Sequence, residues 1–240
     1  MRDQYAGDIS DFFKFSFLRA LVHGTELKLG VGWYYVDCRD DPADGKHQEY
    51  LQQKDYRALD PELFDHLAKL PERSINKLQK AEIWNKSTVF HYSAVPKPLK
   101  SASRDAWAQN MVTTLSRCDM VFIDPDTGPD IGVKKPSKQH ALKREIEILA
   151  ANKRPLVCIK FPAHKNYDEQ IFDINKHFYL FNPITLKILT IIPTETGRKV
   201  PSERWFITLN PSDDLIKRIK QFSQKLKSFD NVRSSIYGNF

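Results

Sequence analysis

Met120-Val121-Phe122-Ile123-Asp124-Pro125-Asp126-Thr127-Gly128 is the stretch that decides the fold. Its apolar half carries no helical spacing of polar residues, so it predicts a short strand buried on both faces, as in a parallel sheet. The strand ends at Asp124, Pro125 stiffens the turn that follows, and Gly128 permits a backbone angle other residues avoid. Working outward, residues 29–36 form a near-continuous apolar run ending at Asp37, and residues 156–159 form another ending at Lys160. Between these runs lie segments of helical period. Residues 9–22 can be capped by Asp8, further patterns cover 61–70, 72–83 and 104–115, and Ser137 can cap a helix reaching Leu149. A short strand is expected at 88–92. Strands at 186–192 and 204–209 have no helix between them and are expected to pair antiparallel. The expected fold class is therefore α/β: a Rossmann-like, doubly wound, mostly parallel sheet with a C-terminal antiparallel hairpin. It is expected to occupy residues 1–240 as a single Rossmann-like domain.

Composition narrows the setting. The chain has 240 residues, 41% hydrophobic and 12% aromatic, which places it among globular proteins. No apolar run approaches the roughly 20 residues that span a bilayer, and the opening lacks a signal-peptide core, so no membrane role and a cytoplasmic location are expected. The net charge of +7 suits a phosphate-rich partner such as nucleic acid. Lys217, Arg218, Lys220, Lys225 and Lys227 concentrate that charge, but they read more readily as the solvated face of an amphipathic helix. Cys38, Cys118 and Cys158 are too widely spaced for a zinc knuckle, and the latter two suit core positions.

In open α/β sheets ligands bind beyond the carboxyl ends of the strands. Asp37, Asp124, Asp126 and Lys160 all fall there. Two carboxylates one residue apart can share a divalent cation or orient an amino group. An Asx turn with a helix cap is the structural alternative. Asp8, Asp11 and Lys14 recur at three-residue spacing on one side of an aromatic-rich helix, where buried charges need a purpose. His164 follows a strand end and is a weaker candidate, while His91 sits within a strand as a core residue. The chain contains neither a P-loop nor a nucleophile elbow.

Tyr5-Ala6-Gly7-Asp8-Ile9-Ser10-Asp11-Phe12-Phe13-Lys14 resembles the N-terminal segment of the ribosomal RNA adenine-N6 methyltransferase family that acts on 23S rRNA. That family's first strand ends in an aspartate, matched by Asp37. Its catalytic Asp-Pro-Pro-Tyr loop is echoed by Asp124-Pro125-Asp126-Thr127. The order of elements agrees over residues 5–165. The resemblance implies a Rossmann-like, S-adenosylmethionine-dependent enzyme acting on nucleic acid. A second resemblance, to bacterial and phage proteins sharing a Gly-Asp-Ile-x-Asp-Phe opening and an Asp-Pro-Asp-x-Gly loop, suggests a phage or anti-phage context. Two differences stand out. The stretch after Asp37 has one late glycine where the family is glycine-rich, and Thr127 replaces the aromatic that stacks on a flipped base.

Three expectations follow. In the first, Asp124, Asp126, Lys14 and Lys160 serve catalysis in a methyltransferase-related enzyme, and Asp8, Asp11 and Asp37 serve its cofactor, S-adenosylmethionine. In the second, Asp124 and Asp126 hold Mg²⁺ in a nuclease or phosphoesterase, and Lys160 stabilises phosphorane charge. In the third, the chain is an inactive methyltransferase-like binding subunit with protein partners in an assembly.

Overall fold

The computed structural model describes residues 1–36, 47–70, 72–97, 101–162, 166–193 and 199–238. Asp37, Cys38 and His164 lie outside the described residues.

Nine strands are present among them: β1 (Leu29–Tyr35), β2 (Val89–Ala94), β3 (Met120–Asp124), β4 (Gly128–Pro129), β5 (His140–Ala141), β6 (Leu156–Lys160), β7 (Ile184–Pro193), β8 (Lys199–Leu209) and β9 (Val232–Gly238). The helices are α1 (Ile9–Val22), α2 (Lys54–Arg57), α3 (Pro61–Ala68), α4 (Ile75–Gln79), α5 (Ala102–Thr114), α6 (Lys143–Leu149), α7 (Tyr167–His177) and α8 (Asp213–Leu226).

Seven strands form one sheet in the order β2-β1-β3-β6-β8-β7-β9. The β2, β1, β3 and β6 strands run parallel, while β8 lies antiparallel to β6 and pairs with β7, which in turn pairs with β9. The fold is thus a mixed α/β, Rossmann-like one, as the apolar runs predict. The chain leaves β1 for β2 on one side and returns to β3 on the other, so the strand order reverses at the β1–β3 junction. The carboxyl end of that junction is where such sheets hold ligands.

Side-chain alternation divides the core. Met120, Phe122, Val157, Ile159 and Phe206 face α1, α3 and α8. There Phe12, Phe13, Phe15 and Phe17 are fully buried, each worth about 1.5–3 kcal/mol. Val121, Ile123, Leu156, Cys158 and Ile207 face α5, α6 and α7. The close fit of α5 depends on Gly32, where a Cβ would stand 2.7 Å from Met111 Sδ. Lys217 and Lys220 of α8 are exposed and Lys225 reaches the Leu59 carbonyl at 2.7 Å, while Leu215, Ile219, Phe222 and Leu226 are buried, so its basic face is the outer side of an amphipathic helix. Cys118 and Cys158 are buried free thiols. No helix among the described residues is long and apolar enough to cross a membrane.

Several boundaries differ from expectation. Ser137 does not cap α6. Its hydroxyl and amide meet His140 Nδ1 at 3.1 Å, which leaves α6 to begin at Lys143. The pattern across residues 72–83 yields only α4. The β9 strand was not anticipated, because Val-Arg-Ser-Ser-Ile-Tyr-Gly is half polar, as suits a strand paired on one side only. His91 is buried as expected, but its Nδ1 has no partner among the described residues, and burial lowers its pKa.

Candidate functional site

The sequence of α1 begins with a cap. The Asp8 side chain accepts the Asp11 amide at 2.9 Å, which starts the helix and turns its first side chains towards the carboxyl end of β3. Gly7, at φ +76°, makes the entry turn, and its amide donates to Asp11 Oδ2 at 2.9 Å. One turn on, Lys14 Nζ lies 2.5 Å from Asp11 Oδ1 and 2.7 Å from Asp124 Oδ2. All three residues are buried. Two segments 110 positions apart thus meet in one ion-pair chain.

The loop after β3 completes the site. Asp126 accepts Gln139 Nε2 at 2.8 Å and pairs with Arg2 at 3.1 Å. The Met1 nitrogen donates to the Tyr34 carbonyl at 2.7 Å, at the end of β1. Thr127 is tied down by Gln139 and Phe161 through backbone bonds, and its hydroxyl donates to the Gln139 carbonyl. Gly128 sits at φ +124°, where a Cβ would come within 3.0 Å of the Lys160 backbone, so no larger residue fits the turn. Asp124, Asp126 and Thr127 are therefore more than an Asx turn capping a helix, because no helix starts at this loop.

These groups line a cavity of about 320 Å³ at the β1–β3 carboxyl edge. Asp8, Asp11, Lys14, Asp124 and Asp126 all face it, so the two segments singled out from sequence converge as expected. Arg2, Tyr5, Ser10, Gln139 and Phe161 also line it and were not singled out. Arg2 and Tyr5 border the N-terminal motif and so could have been suspected. Nothing in the sequence marks Gln139, which reaches Asp126 across thirteen residues.

Lys160 is placed differently. Side chains alternate along β6, so Ile159 and Phe161 turn towards α1 while Lys160 turns to the other face. There it borders a separate cavity of about 440 Å³ with Lys134, Glu169 and Asp173. Lys160 therefore borders a different cavity from the one that Asp124 and Asp126 line.

Carboxylates outnumber cations in the acidic cavity. Burial raises the Asp8 pKa, opposed by the Asp11 amide, Lys14 and Arg204. Burial also pushes Asp11 up to about 7, with Lys14 opposing and Asp8 and Asp124 adding to the rise. Burial would lower Lys14, but Asp11 and Asp124 outweigh it and hold the ammonium charged, above its ordinary value. Arg2 and Gln139 both engage Asp126 Oδ2, and the Met1 nitrogen lies 3.9 Å from its Oδ1. Four carboxylates line the cavity, which suits a ligand that presents N–H donors or positive charge. It is ill-matched to a phosphate.

The same geometry does not fit Mg²⁺. Lys14 occupies the space between Asp11 and Asp124 that a cation would take, and Arg2 and Gln139 engage Asp126. Among the described residues no three His, Cys, Asp or Glu side chains group as metal ligands would.

Comparison with known proteins reaches the fold. No protein-family model matches the chain, and no curated protein matches it by sequence. Among solved structures, it is similar to a Legionella pneumophila protein described under the family model DUF519. The TM-score is 0.56 at 14% identity, covering 98% of each chain. At that identity the likeness establishes a shared α/β architecture over nearly the whole length.

Proposed function

We propose that the chain is a methyltransferase-related enzyme acting on nucleic acid, with the acidic cavity as the place where a nucleobase amine and S-adenosylmethionine meet. The observation that carries this reading is the convergence of the Tyr5–Lys14 segment and the Asp124–Gly128 loop on one cavity at the point where strand order reverses. These are the two segments that resemble the rRNA adenine-N6 methyltransferases.

The donor set supports the reading. S-adenosylmethionine carries an ammonium and an exocyclic amine, and an aminated base carries an N–H pair. Both would complement the carboxylates of Asp8, Asp124 and Asp126, which line the cavity. The cofactor would supply an activated methyl group. Asp124 would accept a hydrogen bond from the target amine and hold it in line, while Lys14 fixes the Asp124 rotamer through its 2.7 Å contact. Asp126, held by Arg2 and Gln139, would select ligands bearing a donor or a positive charge. Tyr5 and Phe161 line the same cavity and offer the ring surface that Thr127 lacks.

The experiment is methyl transfer from isotopically labelled S-adenosylmethionine to total RNA and to DNA, with wild type and Asp124→Asn in parallel. Label should enter nucleic acid with the wild type and be lost with the variant. Absence of label with every substrate, together with no affinity for the cofactor, would leave a binding subunit as the better account.

A further inference from the structure

The acidic cavity is ill-matched to a phosphate, so a nucleic-acid strand that offers it a base must leave its backbone outside. The rim beside the cavity carries the complementary charge. Between Asp130 and Glu145 the chain has five lysines and arginines and no acidic residue. Lys143 and Arg144 are used within the protein, paired with Glu147 and Asp105. Lys134, Lys135 and Lys138 make no ion pair among the described residues. The first two are exposed and Lys138 is half-buried.

Their loop is fixed to the cavity wall at both ends. Strands β4 and β5 pair across it, Gly128 with His140 and Pro129 with Ala141. Inside the loop, the Val133 amide donates to the Asp130 carbonyl and the Gln139 amide to the Ser137 hydroxyl. Gln139 lines the cavity and holds Asp126 at 2.8 Å, which places Lys138, the residue before it, next to the cavity wall. Lys134 instead borders the second cavity, where Glu169 and Asp173 offset its charge.

We propose that this loop is a phosphate grip, in which Lys135 and Lys138 hold the backbone of a single-stranded nucleic acid whose base enters the acidic cavity. The inference rests on the methyl-transfer reading for the base and on the loop alone for the backbone. Ammonium groups that neutralise phosphates release the counterions condensed on them, so such contacts weaken steeply as salt rises. They position the strand without reading its sequence. A single strand fits better than a duplex, because its base reaches the cavity without leaving a base pair. The clamped loop lowers the cost of presenting the two lysines together.

Binding measured by fluorescence anisotropy, without S-adenosylmethionine, tests the grip apart from methyl transfer. The probe is a short fluorescein-labelled single strand, as RNA and as DNA, titrated at several salt concentrations. Three proteins are compared: wild type, Lys135→Gln/Lys138→Gln and Lys217→Gln/Lys220→Gln. The last removes the same charge from α8, whose Arg218 bonds the His23 carbonyl at the far end of α1 from the cavity. The loop variant should bind at least about fivefold more weakly at low salt, with the slope of log Kd against log salt reduced by about 1.4, or about 0.7 per phosphate. The α8 variant should match the wild type, and an unlabelled duplex should compete less well than an unlabelled single strand. No binding by the wild type, an unchanged slope in the loop variant, equal losses in both variants, or a duplex that competes better would each overturn the proposal. Methyl transfer with no role for the loop in binding would sink the grip and leave the reading standing. Loop-dependent binding with no methyl transfer would do the reverse.

Discussion

Two buried ion-pair centres lie on opposite faces of the sheet, and they are built to different ends. On the α5–α6 face, Arg104 donates to Glu145 through Nε at 2.6 Å and Nη2 at 2.8 Å. Glu145 also accepts the Tyr34 hydroxyl at 3.1 Å and the Leu142 amide at 3.0 Å. One carboxylate faces one guanidinium, every carboxylate oxygen is occupied, and Trp107 packs against the guanidinium at 4.7 Å. On the α1 face, two carboxylates, Asp11 and Asp124, share one ammonium beside a cavity that Asp8 and Asp126 also line. The closed centre fastens β1, α5 and α6 together. The open one buries several charges beside a cavity at the rim where ligands bind, which is the pattern expected of a working site.

The largest expected effects separate these two centres. Lys14→Met leaves buried carboxylates unpaired, and Glu145→Gln leaves a buried guanidinium short of its counter-charge. Each should cost about 3–5 kcal/mol of unfolding free energy at neutral pH. Denaturant melts at pH 7 and in mild acid should then part them. Acid neutralises Asp11, whose carboxyl burial raises, and narrows the Lys14→Met deficit, whereas the Glu145→Gln deficit should persist. Equal pH responses would dissolve the distinction.

Asp124→Asn removes the charge but keeps an acceptor oxygen. A loss of about 1.5–3 kcal/mol is expected, the range for a hydrogen bond to a charged group. Asp126→Asn should cost less, because an amide can keep the bond from Arg2.

Asp11 sets a pH signature. Its carboxyl is raised from 3.8 unfolded to about 7 in the fold, so the fold retains a proton that the unfolded chain has released. Its contribution to stability is complete below about pH 3.8 and is lost as pH rises through about 7. Stability measured by urea melts should carry this downward slope in the wild type, and Asp11→Asn should flatten it. Ser101, which caps α5 by accepting the Arg104 amide at 3.1 Å, gives the smallest effect. Ser101→Ala should cost about 1 kcal/mol and leave the cavity untouched.

The contrast also shows what a sequence can disclose. The β1, β3 and β6 strands were legible because both their faces are buried, so apolar residues run without interruption. The α1 cap was legible because Asp8 and Asp11 do local work. Edge strand β9 was not, since Arg233, Ser234 and Ser235 interrupt its apolar pattern. Ser137 looked like a cap, but it is spent on His140 in a loop. In the site, Asp124 and Asp126 stand out because Pro125 locks them at a strand end. Gln139 and the opposite turn of Lys160 depend on tertiary placement, which no local pattern carries. The Arg104–Glu145 pair, separated by 41 positions, escaped notice for the same reason.

The central claim, that the open centre and not the closed one binds the ligand, is tested most directly by calorimetric titration with S-adenosylmethionine. Wild type, Asp126→Asn and Ser101→Ala are compared under one set of conditions, each first shown to be folded. The account predicts one site per chain in the wild type, unchanged in Ser101→Ala and weakened at least about tenfold in Asp126→Asn, equivalent to about 1.4 kcal/mol. No heat of binding in the wild type, or equal affinity in all three, would contradict it.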